Sequence, residues 1–481
     1  MEPHTGFIKD LCIYMFKYSV AIYFSCLFYI GVFTDVNAQE FVGLRTDNYA
    51  GSNGMLLNPA MPITGKLPWD VNVFALGVYE DNNYISIPEN MIKYVTTSDS
   101  IIDINYFNPK KIYAHGNVLA QLPSAFVKFD DFAAGIFFTA RAAGYALSEN
   151  EVHGIAGIKD VPLYTNIDMP AFNAGVLVWS EIGLNAEATL ERNSVFAVHL
   201  GGNIKFLSGL EALGYENNSE FTYVRDTVNT TATHFDSDFD YTTNLGSNRL
   251  YDKGNFGING SGVGIDIGVI YEVKKRSQFK FSKNQEYIWK FGLSLVDLGM
   301  IKYSKNSGTY HLVNEESLIV SNAELDSIDD IDEFNRAGAR IIYDLSAAAK
   351  DGSSFAMYLP AAFVLSAEKA FNKNIYAQAM IVRRIPRFNT NLIARSNVFS
   401  LTPRYETKNV SFCIPMQLYE DREFRIGAAA RFMFFTVGSD NLLTFMKQSE
   451  YSSINMYVGI KLNPYWLLPE NKVKFLDCLK M

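Results

Sequence analysis

The sequence predicts an all-β fold: a transmembrane antiparallel outer-membrane β-barrel of about fourteen strands, with an N-terminal plug segment inside. Three observations predict it. Most of the chain alternates apolar with small or polar residues at a period of two, an export signal opens it, and short turns alternate with long polar connections. The alternation is clearest over residues 194–207. There Val195, Ala197, His199, Gly201, Asn203 and Lys205 stand against Phe196, Val198, Leu200, Ile204 and Phe206. A strand turns successive side chains to opposite faces, so one face is apolar and the other tolerates charge and amide. A soluble sandwich also buries an apolar face. Here the opposite face carries small residues, glycines and isolated charges, which suits a wet lumen.

Composition agrees. Of 481 residues 48% are hydrophobic and 14% aromatic, with 36 Phe, 28 Tyr, 4 Trp and 33 Gly. Phe, Tyr and Gly favour strands, interfacial girdles and tight turns over helices. A net charge of −9 provides no basic field for nucleic acid.

Residues 1–38 read as a signal peptide. Lys9 and Lys17 flank an apolar run over 18–33, and Val36 and Ala38 are the small residues that a signal peptidase reads, with cleavage after Ala38. The alternative is an uncleaved helix over 11–33. Gln39 in place of Cys gives no lipoprotein anchor. Cleavage leaves Cys413 and Cys478, too few and too far apart for a disulfide framework or a metal site.

Residues 39–68 are broken by Gly, Asn and Pro and read as a plug or hatch, with Leu56, Leu57, Asn58, Pro59 and Ala60 as its candidate residues. The segment is apolar and Gly-rich rather than charged, which favours the lumen over a periplasmic tail. The barrel is expected over 69–463 and a tail over 464–481. Strand candidates follow at 69–79, 112–129, 132–141, 174–190, 194–207, 262–271, 287–298, 358–367, 374–384, 389–405, 410–418, 424–435 and 454–462. These make thirteen, and single-chain barrels of bacteria have an even number. One more strand is expected in 80–111 or after Asn463, unless one strand has been split, with twelve and sixteen strands as alternatives. Short turns near 130, 192 and 370 contrast with long polar connections at 142–171, 208–260 and 299–356.

No enzyme signature appears, and no catalytic residue or cofactor is expected. The six His are scattered, and neither a Gly-x-Ser-x-Gly elbow nor a phosphate loop is present. Gly260-Ser261-Gly262-Val263-Gly264 reads as a strand entry where backbones pack closely or a plug approaches. Asp236, Asp238 and Asp240 imitate part of a calcium loop, but Tyr241 and Ser247 stand where Gly and Glu are needed, so a solvated acidic loop is expected and no metal. The acidic run 326–333 reads the same way.

Lumen-facing candidates are Arg141, Glu181, Glu187, His199, Lys205, Asp266, Arg425 and Arg431. Arg383, Arg384, Arg387, Arg395 and Arg404 lie close together in sequence. They would bias a pore toward anions as an open ladder, or form a structural network with Glu181, Glu187, Asp266 and Glu368. Compensation is the preferred reading, since buried charges are paired.

The residues also resemble a known family. Gly43-Leu44-Arg45-Thr46-Asp47-Asn48-Tyr49-Ala50-Gly51 with Leu57-Asn58-Pro59-Ala60 is similar to the start of domain-of-unknown-function family 5723, outer-membrane proteins of Bacteroidota. Further matching motifs are Gly262-Val263-Gly264-Ile265-Asp266-Ile267-Gly268, Phe291-Gly292-Leu293-Ser294-Leu295-Val296-Asp297-Leu298-Gly299, Gly438-Ser439-Asp440-Asn441-Leu442-Leu443 and Tyr457-Val458-Gly459-Ile460-Lys461. More distantly the chain resembles FadL-like transporter barrels, which share an Asn-Pro-Ala-bearing hatch, and PorV/PorP-like barrels. The resemblance implies a monomeric barrel with an inserted N-terminus and carries over no ligand residues.

The expected function is an outer-membrane barrel, surrounded by lipid in a Gram-negative bacterium, that binds or passes an apolar or amphipathic small molecule. The alternative is a non-transport scaffold or secretion-linked surface component whose long loops bind a protein partner.

Overall fold

The computed structural model describes residues 40–83, 85–88, 105–106, 113–148, 163–169, 171–217, 220–233, 236–242, 257–275, 287–313, 318–323, 350–385, 393–421, 423–442, 450–451 and 453–467. Residues 1–38, expected to be a signal peptide, Arg387, the acidic run 326–333 and residues 468–481 lie outside the described residues.

A single antiparallel sheet closes on itself as a barrel of 14 strands. Its first half comprises β1 (Trp69–Asn82), β2 (Tyr113–Gln121 and Ser124–Phe129), β3 (Phe132–Ser148), β4 (Phe172–Arg192), β5 (Phe196–Asn217), β6 (Asp236–Thr242 and Gly260–Lys274) and β7 (Tyr287–Tyr303 and Ser307–Val313). The second half comprises β8 (Lys350–Gly352, Phe355–Tyr358 and Ala362–Ala370), β9 (Ile375–Arg384), β10 (Val398–Glu406), β11 (Val410–Cys413 and Met416–Tyr419), β12 (Glu423–Ile426 and Ala428–Phe432), β13 (Phe435–Ser439) and β14 (Ser453–Leu462). Each strand pairs with the next. Closure is made by β14 on β1, from Val71 opposite Leu462 to Asp81 opposite Ser453. A closed ladder leaves no unpaired edge, which is what a membrane demands of a sheet.

The alternation read from sequence is the inside–outside alternation of this wall. On β5, Leu200, Ile204 and Phe206 are exposed on the outer face, whereas His199, Asn203 and Lys205 are buried on the inner one. The outer set continues through Ile182 and Leu184, Val263 and Ile265, Phe291 and Leu293, Phe363 and Leu365, and Phe399 and Leu401. Together these side chains form the apolar belt of an outer-membrane-type barrel. Ile204, at 56% exposure near the middle of that belt, offers a direct test: Ile204→Lys is expected to cost about 2–4 kcal/mol of stability in lipid. Urea unfolding in vesicles measures it, and a cost below half a kcal/mol would place Ile204 outside the hydrocarbon.

One rim carries the start of β1, the end of β14 and the tight turns at 130–131, 193–195, 371–374, 407–409 and 433–434. Long connections leave the other rim. Parts of three of them (Asn166–Met169, Phe221–Arg225, Asn229–Thr233 and Leu318–Ser321) join in a separate four-stranded antiparallel sheet.

The fourteenth strand lies in neither place the sequence suggested. It is Phe435–Ser439, immediately behind the run read as 424–435, paired with β12 and β14. Its turn is Met433-Phe434, with Met433 in the left-handed region at φ 49°. A turn of apolar residues lacks the Gly or Asn that marks such a reversal. Two further differences share a cause. Strands run well past their expected ends, β4 to 21 residues and β5 to 22, where about 9–11 cross a membrane. Beyond the lipid the outer face need not be apolar, so the alternation fades while the pairing continues. Asp236, Asp238 and Asp240 therefore belong to β6, not to a loop, and pair with β5 and β7. Gly260 and Gly262 face β7 backbone and Tyr303 at a close approach between strands, not a plug.

Candidate functional site

Residues 40–68 fold back against the inner faces of the strands. They form a short helix α1 (Val42–Arg45), a 3-10 turn (Gly51–Leu56) and a helix α2 (Met61–Thr64), and nearly all their side chains are buried. Leu56, Leu57, Asn58 and Ala60 are among them. Asn58 Nδ2 donates to the carbonyls of Val269 (3.4 Å) and Leu293 (3.3 Å), and Asn58 Oδ1 accepts from Ala60 N–H at 2.9 Å. Asn185 Nδ2 donates to Pro59 O at 3.0 Å, Asn203 Nδ2 to Met55 O at 3.0 Å, and Ser294 Oγ to Leu57 O at 2.8 Å. The wall admits this contact because it lacks side chains there. A Cβ on Gly201 would lie 2.5 Å from Pro59 O, and one on Gly268 2.1 Å from Asn58 Oδ1. Phe41, Val42 and Met55 complete the apolar contacts of the segment with the wall.

An ionic layer lies on the inner face next to the segment, centred on Asp297. Strands β6 and β7 lose register between Ile265 and Ile267, and Asp297 takes φ 58°. This bulge sets both Val296 and Asp297 on the inside. Arg141 reaches Asp297 through two hydrogen bonds of 2.8 and 3.0 Å, Lys205 through one of 2.7 Å and Arg395 through one of 3.2 Å. Arg141 also meets Glu181 at 3.1 Å, and Lys205 meets Asp266 at 2.8 Å. Glu40 closes the layer from the N-terminal segment, at 2.8 Å from Arg395 and 3.7 Å from Arg45. Four cations thus face four carboxylates, each buried charge with a partner, as burial requires.

A second group ties the segment to β8–β10 and β14. Glu406 accepts from Asn48 Nδ2 (2.7 Å), Lys66 Nζ (2.9 Å) and Arg404 Nε (2.9 Å). Arg404 continues to Thr46 O at 3.0 Å and Glu368 at 2.7 Å. Lys461 Nζ donates to the carbonyls of Tyr49 and Ala50. Burial pushes the Asp47 carboxyl up, but the Arg431 guanidinium at 3.0 Å, with Lys461 and Arg404 beyond, holds it below the usual carboxylate range. Burial pulls the Lys66 ammonium down and Glu406 more than offsets it, leaving it above its usual value. Asp440, just past β13, is pushed by burial to about 7 against hydrogen bonds from Val42 N–H and Tyr457.

Toward the long-connection rim the inner face changes character. Tyr145, Leu177, Trp179, Leu207, Ile301, Tyr303, Phe355, Met357 and Leu359, from β3, β4, β5, β7, β8 and the residue that follows Phe355–Tyr358, pack as one buried apolar cluster with Ile393. Trp179 Nε1 donates to Glu181 at 2.6 Å, so the cluster rests on the ionic layer.

The sequence-derived candidates divide accordingly. Arg141, Glu181, Lys205 and Asp266 come together around Asp297. Glu187 accepts from Ile63 N–H at 2.7 Å, and His199 lies 3.0 Å from Thr189 and 3.6 Å from Glu272, both nearer the short-turn rim. Arg431 meets Asp47, and Arg425 meets Glu423 at 2.9 Å and Asp81 at 3.6 Å. Of the arginine run, Arg383 pairs with Asp421 and Arg384 with Glu420. Sequence reasoning missed Asp297, Glu40, Arg45, Glu406 and the apolar cluster. Asp297 left one signal, the break in alternation at Leu295-Val296-Asp297-Leu298.

Residues 59–440 match the profile of DUF5723, a family of unknown function. The chain belongs to the DUF5723 family. No curated protein matches it in sequence. Among solved structures this family member is similar to the P. putida toluene transporter TodX, at 10% identity over 86% of this chain and 94% of that one, with a TM-score of 0.40. It is similar to the Ralstonia pickettii toluene transporter TbuX at 10% identity over 86% and 94%, TM-score 0.38, and to a Pseudomonas aeruginosa FadL homologue at 7% identity over 89% and 98%, TM-score 0.23. The closed ladder, not these likenesses, defines the architecture.

Proposed function

We propose that this DUF5723 member is an outer-membrane barrel that binds or passes an apolar or amphipathic small molecule, with residues 40–68 as a hatch below the binding chamber. The observation that carries this reading is the inward-facing apolar cluster around Trp179 and Tyr303. Apolar side chains on the inside of a barrel near its mouth have no lipid to face, and a pocket lined by aromatic and aliphatic groups over a polar floor is how proteins take apolar ligands. The reading is tested by titrating a fluorescent apolar probe, N-phenyl-1-naphthylamine, into the purified protein held in amphipol. Saturable binding with energy transfer from Trp179 is expected, and Leu177→Asp should weaken it about tenfold, since a carboxylate among apolar groups costs well over 1.4 kcal/mol. Absence of saturable binding by the folded protein would sink it.

A scaffold role is the second reading. The burial of residues 40–68 against the wall and the four-stranded sheet built from three long connections support it. The same titration discriminates, because a scaffold has no need of a saturable apolar site.

A further inference from the structure

The inner face at the long-connection rim is two-sided. Opposite the apolar cluster in character stands a polar wall from β1, β2, β11 and β12, and the two meet where His115 pairs with Tyr145 and Asn117 with Ala143. On this wall Gln417 is 1% exposed, and neither its amide nitrogen nor its oxygen has a hydrogen-bond partner among the described residues. Its ladder neighbour Arg425 lies with its guanidinium 3.8 Å from the centroid of the Tyr419 ring. Arg425 donates through one nitrogen to Glu423, while Nε and Nη1 are unpartnered among the described residues. The same holds for Asn117 Oδ1, while Asp81 beside them meets Arg425 in an ion pair at 3.6 Å and accepts a hydrogen bond from the Tyr419 hydroxyl.

A buried polar atom left without a partner loses the hydrogen bonds it had in water and gains none, and native proteins hold few of them. Several in one place, donors beside acceptors, mark the position of a polar occupant. The charges say what kind. Arg425 is matched by Asp81 and Glu423, and Arg384 by Glu420. A carboxylate head would meet these acids without a surplus cation to hold it, whereas hydroxyl and amide groups both give and accept.

We propose that the Gln417–Arg425–Asp81–Asn117 wall is a head-group site, and that the cargo is an uncharged amphiphile with a hydroxyl- or amide-bearing head, an alkyl glycoside by class rather than a fatty acid. This rests on the apolar cluster being the binding chamber for the tail.

The test displaces bound N-phenyl-1-naphthylamine from the full mature chain in amphipol with n-octyl β-D-glucoside, octanoate or octane, each below its micellar concentration. The glucoside is expected to compete at least tenfold better than octanoate. Gln417→Leu and, separately, Asn117→Leu should each reduce that preference about tenfold while leaving octane competition unchanged; heat-modifiable migration verifies that each variant is folded. Equal or better competition by octanoate, or a preference unmoved in both variants, overturns the head-group site and means these groups hold water only. Failure of the probe and octane to bind at all overturns the chamber, and with it this inference.

Discussion

Replacing Asp297 by Ala is expected to destabilise the barrel by about 3–5 kcal/mol, the cost of leaving buried charges without their partner. Three cations converge on this one carboxylate, and two of them, Arg141 and Lys205, stand on β3 and β5 on either side of β4. Removing it leaves Glu181 for Arg141, Asp266 for Lys205 and Glu40 for Arg395, a layer with four cations and three acids. Asp297→Asn keeps the volume and one acceptor and should lose less. Urea unfolding in vesicles measures both. A loss below 1 kcal/mol for Asp297→Ala would mean that water reaches this layer and the lumen is not filled.

Removing residues 40–66, with Gln39 joined to Leu67, is expected to turn a protein silent in planar bilayers into one that shows discrete conductance steps. The segment occupies the inner face from Phe41 beside Tyr457 to Ile63 beside Glu187. Its loss exposes the polar inner faces of β4, β5, β7 and β10 to water, and a barrel of this strand number without its filling has room for ions. The deleted segment carries two acids and two bases among its charged contacts, Glu40, Asp47, Arg45 and Lys66. The net charge of the lumen therefore barely changes, and the conductance gain reports space rather than field. A folded deletion variant that stays silent would deny the segment a closing role and favour the scaffold reading.

The wall was legible in the sequence wherever lipid touches it. Ile182, Leu184, Ile204, Phe206, Val263 and Ile265 are apolar because hydrocarbon faces them, and a period of two records that directly. Beyond the lipid the record stops, which is why β3, β4 and β5 extend further than the alternation indicates. Phe435–Ser439 was hidden for a different reason: its turn, Met433-Phe434, is as apolar as the strands it joins. The interior was less legible. Arg395 finds Glu40 across 355 positions, Asn48 finds Glu406 across 358 and Arg431 finds Asp47 across 384. Such pairs are set by how a strand order wraps into a cylinder, and no local pattern encodes them. The sequence did mark the inward residues as a class, because a charge on an alternating strand has only one side to go. It could not say that Arg141, Lys205 and Arg395 share a carboxylate, since that carboxylate is turned inward by a bulge.

A closed barrel whose apolar outside lies in the outer membrane has a characteristic migration in gels, because its sheet has no free edge from which to unravel. Cells expressing the chain are fractionated, and the outer membrane is run in denaturing gels with and without prior heating. The protein should be found in that fraction and migrate faster unheated than heated, as a closed sheet that resists detergent until its ladder melts. Recovery as a soluble periplasmic species, or one position at all temperatures, would contradict the account.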